Sequence, residues 1–454
     1  MQTHLDCRGH SLNTDSPDAA KAFDAGMRSF VRWRTDAMAH LDEAIAADPE
    51  FALAKLVKGW IMQTGRTTAF WPAIKALLAE ADPLMGDADD REQAYFGSLT
   101  AAVNGHGVEA ASILEAMLSR HPTDLLAHRL VQFELFWNGR SGWMRDIVER
   151  ATPAWPEDMA DYGCFQSVRS FSNEEACEFD LAERCGRLAV EIDDTDAWGT
   201  HAVAHVHVMK GRVDDGTAWL EGLCGNWGAV NQIGHHLWWH LCLMLLEQGA
   251  GERALDLVTA QVRNPDSPLV QAMPGATIDL QNVASLLMRL ELRGIDLGDH
   301  WHILAEVCAG RTDDHANPFS SAHDMMVLAA TGQFQAAEQL LNNIRDYASS
   351  AANTPGGSLA TAYNAAGIAL CEAMLAHRRG EHDRVVALIS PVRHDLALIG
   401  GSRAQRDIFY QVLVDSAHRA GRGDLIPLYL DDVRRLGFGI VEQRTLYRDM
   451  AGHG

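Results

Sequence analysis

Apolar positions recur along this chain with a period near 3.6 residues, and no segment sustains the alternation of a half-buried strand. The pattern predicts roughly twenty helices of about 12–18 residues joined by short turns. Several neighbouring segments share one arrangement. A first helix ends at a Gly, and a second begins a few residues later with Ala where the two would approach. Examples are MKGRVDDGTAWL, LEQGAGERALDL, AATGQFQAAEQLL and HRRGEHDRVVALI. Gly tolerates the left-handed conformation that ends a helix. Phrases such as AIAADPEFALAKLVKG and AVEIDDTDAWGTHAVAHV join one hairpin to the next. There an acidic residue caps the following helix, and Pro49 suits its first turn. The predicted fold class is all-α, a right-handed solenoid of antiparallel, tetratricopeptide-like helical hairpins. The Trp and Tyr positions of that repeat are mostly missing and the spacing drifts.

Three stretches interrupt the rhythm. ATPAWPEDM (151–159) starts a new hairpin. RNPDSPLVQAMPGA (263–276), with three prolines, reads equally as a lid or a connector, and SSAANTPGGS (349–358) as a flexible joint. They suggest N-terminal repeats over 1–150, central repeats over 151–348, and C-terminal hairpins over 358–454.

Composition narrows the function. The 454 residues are 47% hydrophobic and 22% charged, as in soluble globular proteins, with a net charge of −23. That surface repels phosphate backbones and anionic lipid, so neither nucleic acid nor membrane is expected as a partner. The N-terminus lacks the apolar stretch of a secretory signal, and no segment has the uninterrupted apolar length of a membrane span. The eight cysteines are scattered with no CxxC, which points to reduced thiols and a cytoplasmic location. Cys242, two residues after His240, reads as a nucleophile or as a buried core thiol, the latter being the commoner fate.

The chemistry centres on two histidine pairs. His201 and His205 lie in HAVAHVHVMKG, and His236 and His240 in GHHLWWHLCLMLLEQG. Each pair is spaced i, i+4, and the second follows the first by 35 residues, about one hairpin repeat. Counted back from the turn residues Gly211, Gly249 and Gly332, these four and His323 fall within an arc of roughly 100°. First helices of a repeat array line the face that takes ligands. Arg289 falls near the edge of the arc, Glu291 is close by, and Asp279 sits at a helix start where the register is loose.

Three functions fit. The leading one is a concave cleft binding a small polar or anionic molecule. His205, His240 and His323 act as acid and base; His201, His236, Trp198, Trp239, Asp279, Arg289 and Glu291 contact the ligand. Arg289 would hold a carboxylate or phosphate, and Trp198, Trp238 and Trp239 would exclude water. The second is a protein-interaction scaffold receiving a peptide in the groove. The third is a metal-dependent hydrolase or oxygenase, since i, i+4 histidines can chelate a first-row ion. The intervening residues AVA and LWW lack the Glu of HExxH, so no metal ligand is assigned and the cofactor is left unknown. Against all three stands a structural role, with the rings bonding carbonyls and the indoles filling gaps. Self-association and a protein partner stay open.

At HAVAHVHVMKGRVDDGTAWLEG, followed by HHLWWHLCLMLLEQG, the chain resembles the tetratricopeptide repeat protein 38 family. Further similar stretches are RTDAMAHLDEAIAADPEFALAKLVKG (34–59), ATPAWPED (151–158), DLQNVASLLMRLELRG (279–294) and SAHDMMVLAATGQF (321–334). The resemblance implies an α-helical repeat protein, typically cytosolic, and carries no reaction with it. The residues matching its motifs are Asp196, Trp198, His201, His205, Gly211, Trp239, His240, Asp279, Arg289, Glu291 and His323. His236 stands at a position expected to vary.

Overall fold

Glycine with positive φ ends one helix after another: Gly211 (64°), Gly249 (75°), Gly294 (75°), Gly332 (70°) and Gly380 (74°) all lie in the left-handed region. These are the turn positions read from the sequence, and each reverses the chain at the cost only glycine avoids. The computed structural model describes residues 4–351 and 357–452. They form an all-α architecture of tetratricopeptide-like hairpins. The only strands among them are the two-residue pair His4–Leu5 and Ser11–Leu12.

The chain divides into two units. One comprises Met1–Ala202, Asn226–Asn231 and Pro355–Leu359; the other comprises Val203–Gly225, Gln232–Thr354 and Ala360–Gly454. Their boundaries do not coincide with the segments 1–150, 151–348 and 358–454. Of the expected joint 349–358, residues 349–351 complete the helix Phe334–Ala351, and 352–356 lie outside the described residues.

In the first unit, hairpins such as Asp90–Val103 with Gly107–Leu118, and Tyr162–Glu175 with Phe179–Ile192, pack in sequence order. Pro49 lies in the turn before the helix Ala52–Thr64, not in its first turn. Asp124 caps the helix Leu125–Trp137 through the Ala127 backbone N–H (3.0 Å) and accepts from Arg91 (2.7 Å) and the Tyr95 hydroxyl (2.9 Å). One carboxylate thereby ties a helix start to the preceding hairpin.

In the second unit, the helix Ile233–Glu247 packs on Val213–Leu223, Gly251–Leu257 and Thr277–Glu291. The last of these packs in turn on Pro318–Ala330 and Arg403–Arg419. Gly216 lets the Val213–Leu223 helix close on its neighbours, because a Cβ there would meet Met244 at 2.6 Å and His207 at 2.9 Å. The 263–276 stretch contains the short helix Pro268–Ala272, and Arg263 donates to the Pro274 carbonyl (2.8 Å). Ser358–Arg378 is long and apolar enough to cross a membrane by length and composition, yet 61% of that stretch is buried within the protein, as a core helix is.

The first helices are not open on one side. In Ile233–Glu247 nearly every residue is buried, and the same holds for Thr277–Glu291 and Pro318–Ala330. Their apolar and small residues run all round the helix rather than along one stripe, which is the mark of a helix covered on every side. The expectation of a solvent-facing first-helix surface is corrected accordingly.

Two polar features carry stability. Glu247, at the end of its helix, accepts from Arg293 (3.0 Å), Arg444 (2.9 Å), and the Thr445 backbone N–H (2.7 Å) and hydroxyl (3.0 Å). Arg444 also donates to Asp407 (2.5 Å), which accepts from the Tyr447 hydroxyl (2.5 Å). This network holds the C-terminal helix Thr445–Ala451 in place. Arg444→Met leaves two buried carboxylates without their shared cation, and the expected cost is about 3–5 kcal/mol by chemical denaturation. A loss below about 1 kcal/mol would show the network to be incidental.

The second feature is His128, fully buried, whose Nε2–H donates to the Pro122 carbonyl (2.9 Å). Burial lowers its pKa from the ordinary 6.5 to about 4. The unfolded chain therefore takes up this proton before the folded one. Stability contributed above pH 6.5 is lost as the pH falls toward 4, up to about 3 kcal/mol. Urea midpoints at neutral and acid pH should fall further for the wild type than for His128→Gln; equal falls would remove His128 from the account.

Candidate metal centre in the histidine helices

The first histidine helix, Ala197–Met209, starts where Asp196 caps it through the Gly199 backbone N–H (2.7 Å). It carries His205, fully buried. The second, Ile233–Glu247, carries His236 and His240, also buried. Within the second unit these three rings converge. The His205 and His240 centroids are 4.5 Å apart, those of His236 and His240 4.7 Å. Each ring offers a nitrogen, and these nitrogens lie within 4.8 Å of one another. His201 belongs to the first unit, where its ring lies 5.3 Å from that of Phe171.

A neighbouring helix orients the group. Asn282 Oδ1, on Thr277–Glu291, lies 2.7 Å from His236 Nδ1. That bond makes Nδ1 the donor and leaves the Nε2 lone pair for another partner. Trp239 stacks on His236 (5.0 Å between centroids, 10° between planes) and donates from Nε1 to the Ser285 hydroxyl (3.1 Å). Burial lowers the His236 pKa to about 3, the Asn282 bond opposing and the nearby His205 adding to the shift. The ring is neutral at physiological pH, the form in which imidazole is a ligand.

The remaining predicted residues are held by other partners. The His323 ring lies against Phe319 (4.3 Å) and Phe409 (5.8 Å), with Nδ1 2.7 Å from the Phe319 carbonyl. Arg289 donates to the carbonyls of Ala404 (2.8 Å), Gln405 (3.3 Å) and Ser285 (3.1 Å), and its guanidinium lies 5.5 Å from the Trp239 ring centroid. Burial lowers its pKa to about 10. Asp279 pairs with His235 Nδ1 (2.9 Å), and Glu291 accepts from Arg378 (2.8 Å) at the protein surface. Trp198 lies in the first unit, where Nε1 donates to Gln132 (3.0 Å), the ring stacks on Trp33 (4.7 Å), and His201 stacks on it in turn (4.6 Å). Cys242 is buried, with its thiol pKa pushed well up by burial and Sγ 3.7 Å from the Ala254 carbonyl, so it is a core thiol and no thiolate.

The structure thus brings together His205, His236 and His240 with Trp239 behind them. It engages His323, Asp279, Arg289 and Glu291 with other partners. A count of helical angle from the turn glycines says where a side chain points on its own helix. It cannot say which neighbouring helix that face meets. Sequence reasoning missed Asn282 and Ser285. With Arg289 they form an i, i+3, i+7 line of polar residues in an apolar helix, and that spacing was the available signal.

No family model matches the chain. Two solved structures extend over nearly all of it. One is the human IFIT1 dimer with m7Gppp-AAAA, 12% identical, covering 97% of this chain and 96% of that one, with a TM-score of 0.37. The other is a monomeric mutant of IFIT1 with Gppp-AAAA, also 12% identical with the same coverage and a TM-score of 0.38. Both neighbours are complexes with oligonucleotides, and the exclusion of nucleic-acid partners on the ground of net charge is withdrawn. Net charge averages a whole surface, whereas recognition depends on the local groups lining a site.

Asn282→Leu removes the acceptor from His236 Nδ1. The expected result is a loss of about 1–3 kcal/mol, with nitrogen NMR showing the His236 ring leaving the Nδ1–H tautomer. An unchanged tautomer would mean that another group orients the ring.

Proposed function

We propose that this protein is a helical-repeat metalloprotein in which His205, His236 and His240 bind one first-row transition ion. The observation that carries this reading is the convergence of their ring nitrogens within 4.8 Å of one another in a buried setting. An ion with metal–nitrogen distances of about 2.0–2.1 Å holds its ligands roughly 3.3 Å apart, so modest side-chain rotations close the set. All-imidazole ligation suits Zn, Cu, Fe or Ni and disfavours Mg or Ca, which take oxygen ligands. Asn282 fulfils the outer role that metal-bound histidines usually need, fixing the tautomer of His236.

Three imidazoles would leave such an ion a position for water or substrate, where it would supply Lewis-acid chemistry toward a carbonyl or phosphoryl oxygen. The substrate is then a small polar molecule, and the chemistry is hydrolytic or oxygenating according to the ion. Arg289 is not its anion clamp, because its guanidinium is committed to backbone carbonyls. The HAVAHV and WWHL phrases support kinship with the tetratricopeptide repeat protein 38 family, and eight free thiols support a reducing, cytoplasmic setting.

The test is elemental analysis of untagged protein purified without chelators. The expected result is about one transition ion per chain, lost in the folded His205→Ala/His240→Ala double variant. Protein that holds no ion and takes up none of Zn2+, Fe2+, Cu2+ or Ni2+ after dialysis would end the metal reading. It would leave acid–base catalysis by His205 and His240 as the alternative, read as a bell-shaped pH–rate profile.

A further inference from the structure

A second group of ligating side chains lies in the C-terminal hairpins, on residues that the histidine helices do not supply. The helix Ile368–Arg378 ends in the HRRGEH turn, and the helix His382–Val392 begins there. Gly380, at φ 74°, reverses the chain so that His377 and His382 face each other, with ring centroids 5.6 Å apart at 78°. A third helix, Arg403–Arg419, adds Asp415. Its Oδ2 lies 3.4 Å from His377 Nε2, and the Ser416 hydroxyl on the same helix lies 3.4 Å from His382 Nδ1. One ligand atom from each of His377, His382 and Asp415 falls within 4.8 Å of the others.

We infer that His377, His382 and Asp415 form a second, solvent-accessible site for a borderline divalent ion such as Zn2+, Ni2+ or Co2+. Two imidazoles and one carboxylate on a single face are a donor set for such ions, with the remaining positions filled by water. The setting differs from that of the buried histidines. Both rings are partly exposed, so an ion can enter from solvent, while the carboxylate is buried and held in place. Arg419 competes for the carboxylate. Its Nε lies 2.8 Å from Asp415 Oδ2, one turn away on the same helix, and half of its side chain faces solvent, so it swings clear without disturbing the core. The His377–Asp415 bond is replaced when the ion inserts between the two ligand atoms. Because the three ligands come from three helices, the ion staples the Ile368–Val392 hairpin to the next helix. It acts as a reversible stabiliser that senses the supply of metal.

The test counts ions and measures their effect on the full chain. Zn2+ titrated by calorimetry into metal-depleted wild type is expected to show a site that His382→Ala weakens at least tenfold, lowering the stoichiometry by one ion per chain. His382→Ala leaves the His377–Asp415 bond and the helix packing intact, so it should stay folded. Asp415→Asn serves as the second variant and should weaken the same site. Zn2+ should also raise the melting temperature of the wild type by more than that of His382→Ala, as binding to the folded state alone requires. The idea is overturned if stoichiometry and melting shift are the same in wild type and His382→Ala. It is equally overturned if none of Zn2+, Ni2+ or Co2+ binds with a Kd below about 1 mM, the level of incidental surface chelation.

Discussion

The satisfaction of buried polar groups governs this protein. Its first helices are covered on nearly every side, so a polar side chain on them has no water to turn to. It is stabilised by a partner on its own helix or the next, and an unmet group costs about 1–3 kcal/mol. His236 meets Asn282, Trp239 meets Ser285, and Arg289 meets two carbonyls of the Arg403–Arg419 helix. In the first unit Trp198 meets Gln132, whose amide donates to the Val168 carbonyl and the Ser172 hydroxyl. Each of these bonds runs from one hairpin to another. Together they set the register in which the hairpins stack, which apolar packing alone leaves loose.

The same requirement makes the histidine group informative. Several imidazoles brought edge to edge in a dry core would repel one another if charged, so the group favours neutral rings. Neutral rings in that arrangement place one nitrogen each within 4.8 Å of the others. Glu247 and Asp407 with Arg293 and Arg444 show the contrasting solution, in which buried charges are balanced by charges of opposite sign.

Much of the fold was legible in the chain, and the histidine helices show why. Helical period, the turn glycines and the acidic caps are local properties, fixed by backbone sterics within a few residues. Gly211, Gly249, Gly294, Gly332 and Gly380 all adopt the left-handed conformation that the pattern implied. The i, i+4 spacing of His236 and His240 likewise determined that both lie on one face of a helix. The composition did not settle partners: a net charge of −23 was read as excluding nucleic acid, and a whole-chain average cannot decide what a local surface binds.

What the sequence by itself determined about this protein is an all-helical chain of hairpins with polar, titratable residues set into helices that would otherwise be apolar. Only the tertiary structure decided which of those residues meet. His205, His236 and His240 meet one another, whereas His323, on the same arc by helical angle, and Arg289, near its edge, turn to an aromatic pair and to backbone carbonyls. The physical reason is range. Helix phase is set by contacts between residues three or four apart, but the neighbour that a helix face meets is set by packing between segments tens to hundreds of residues apart.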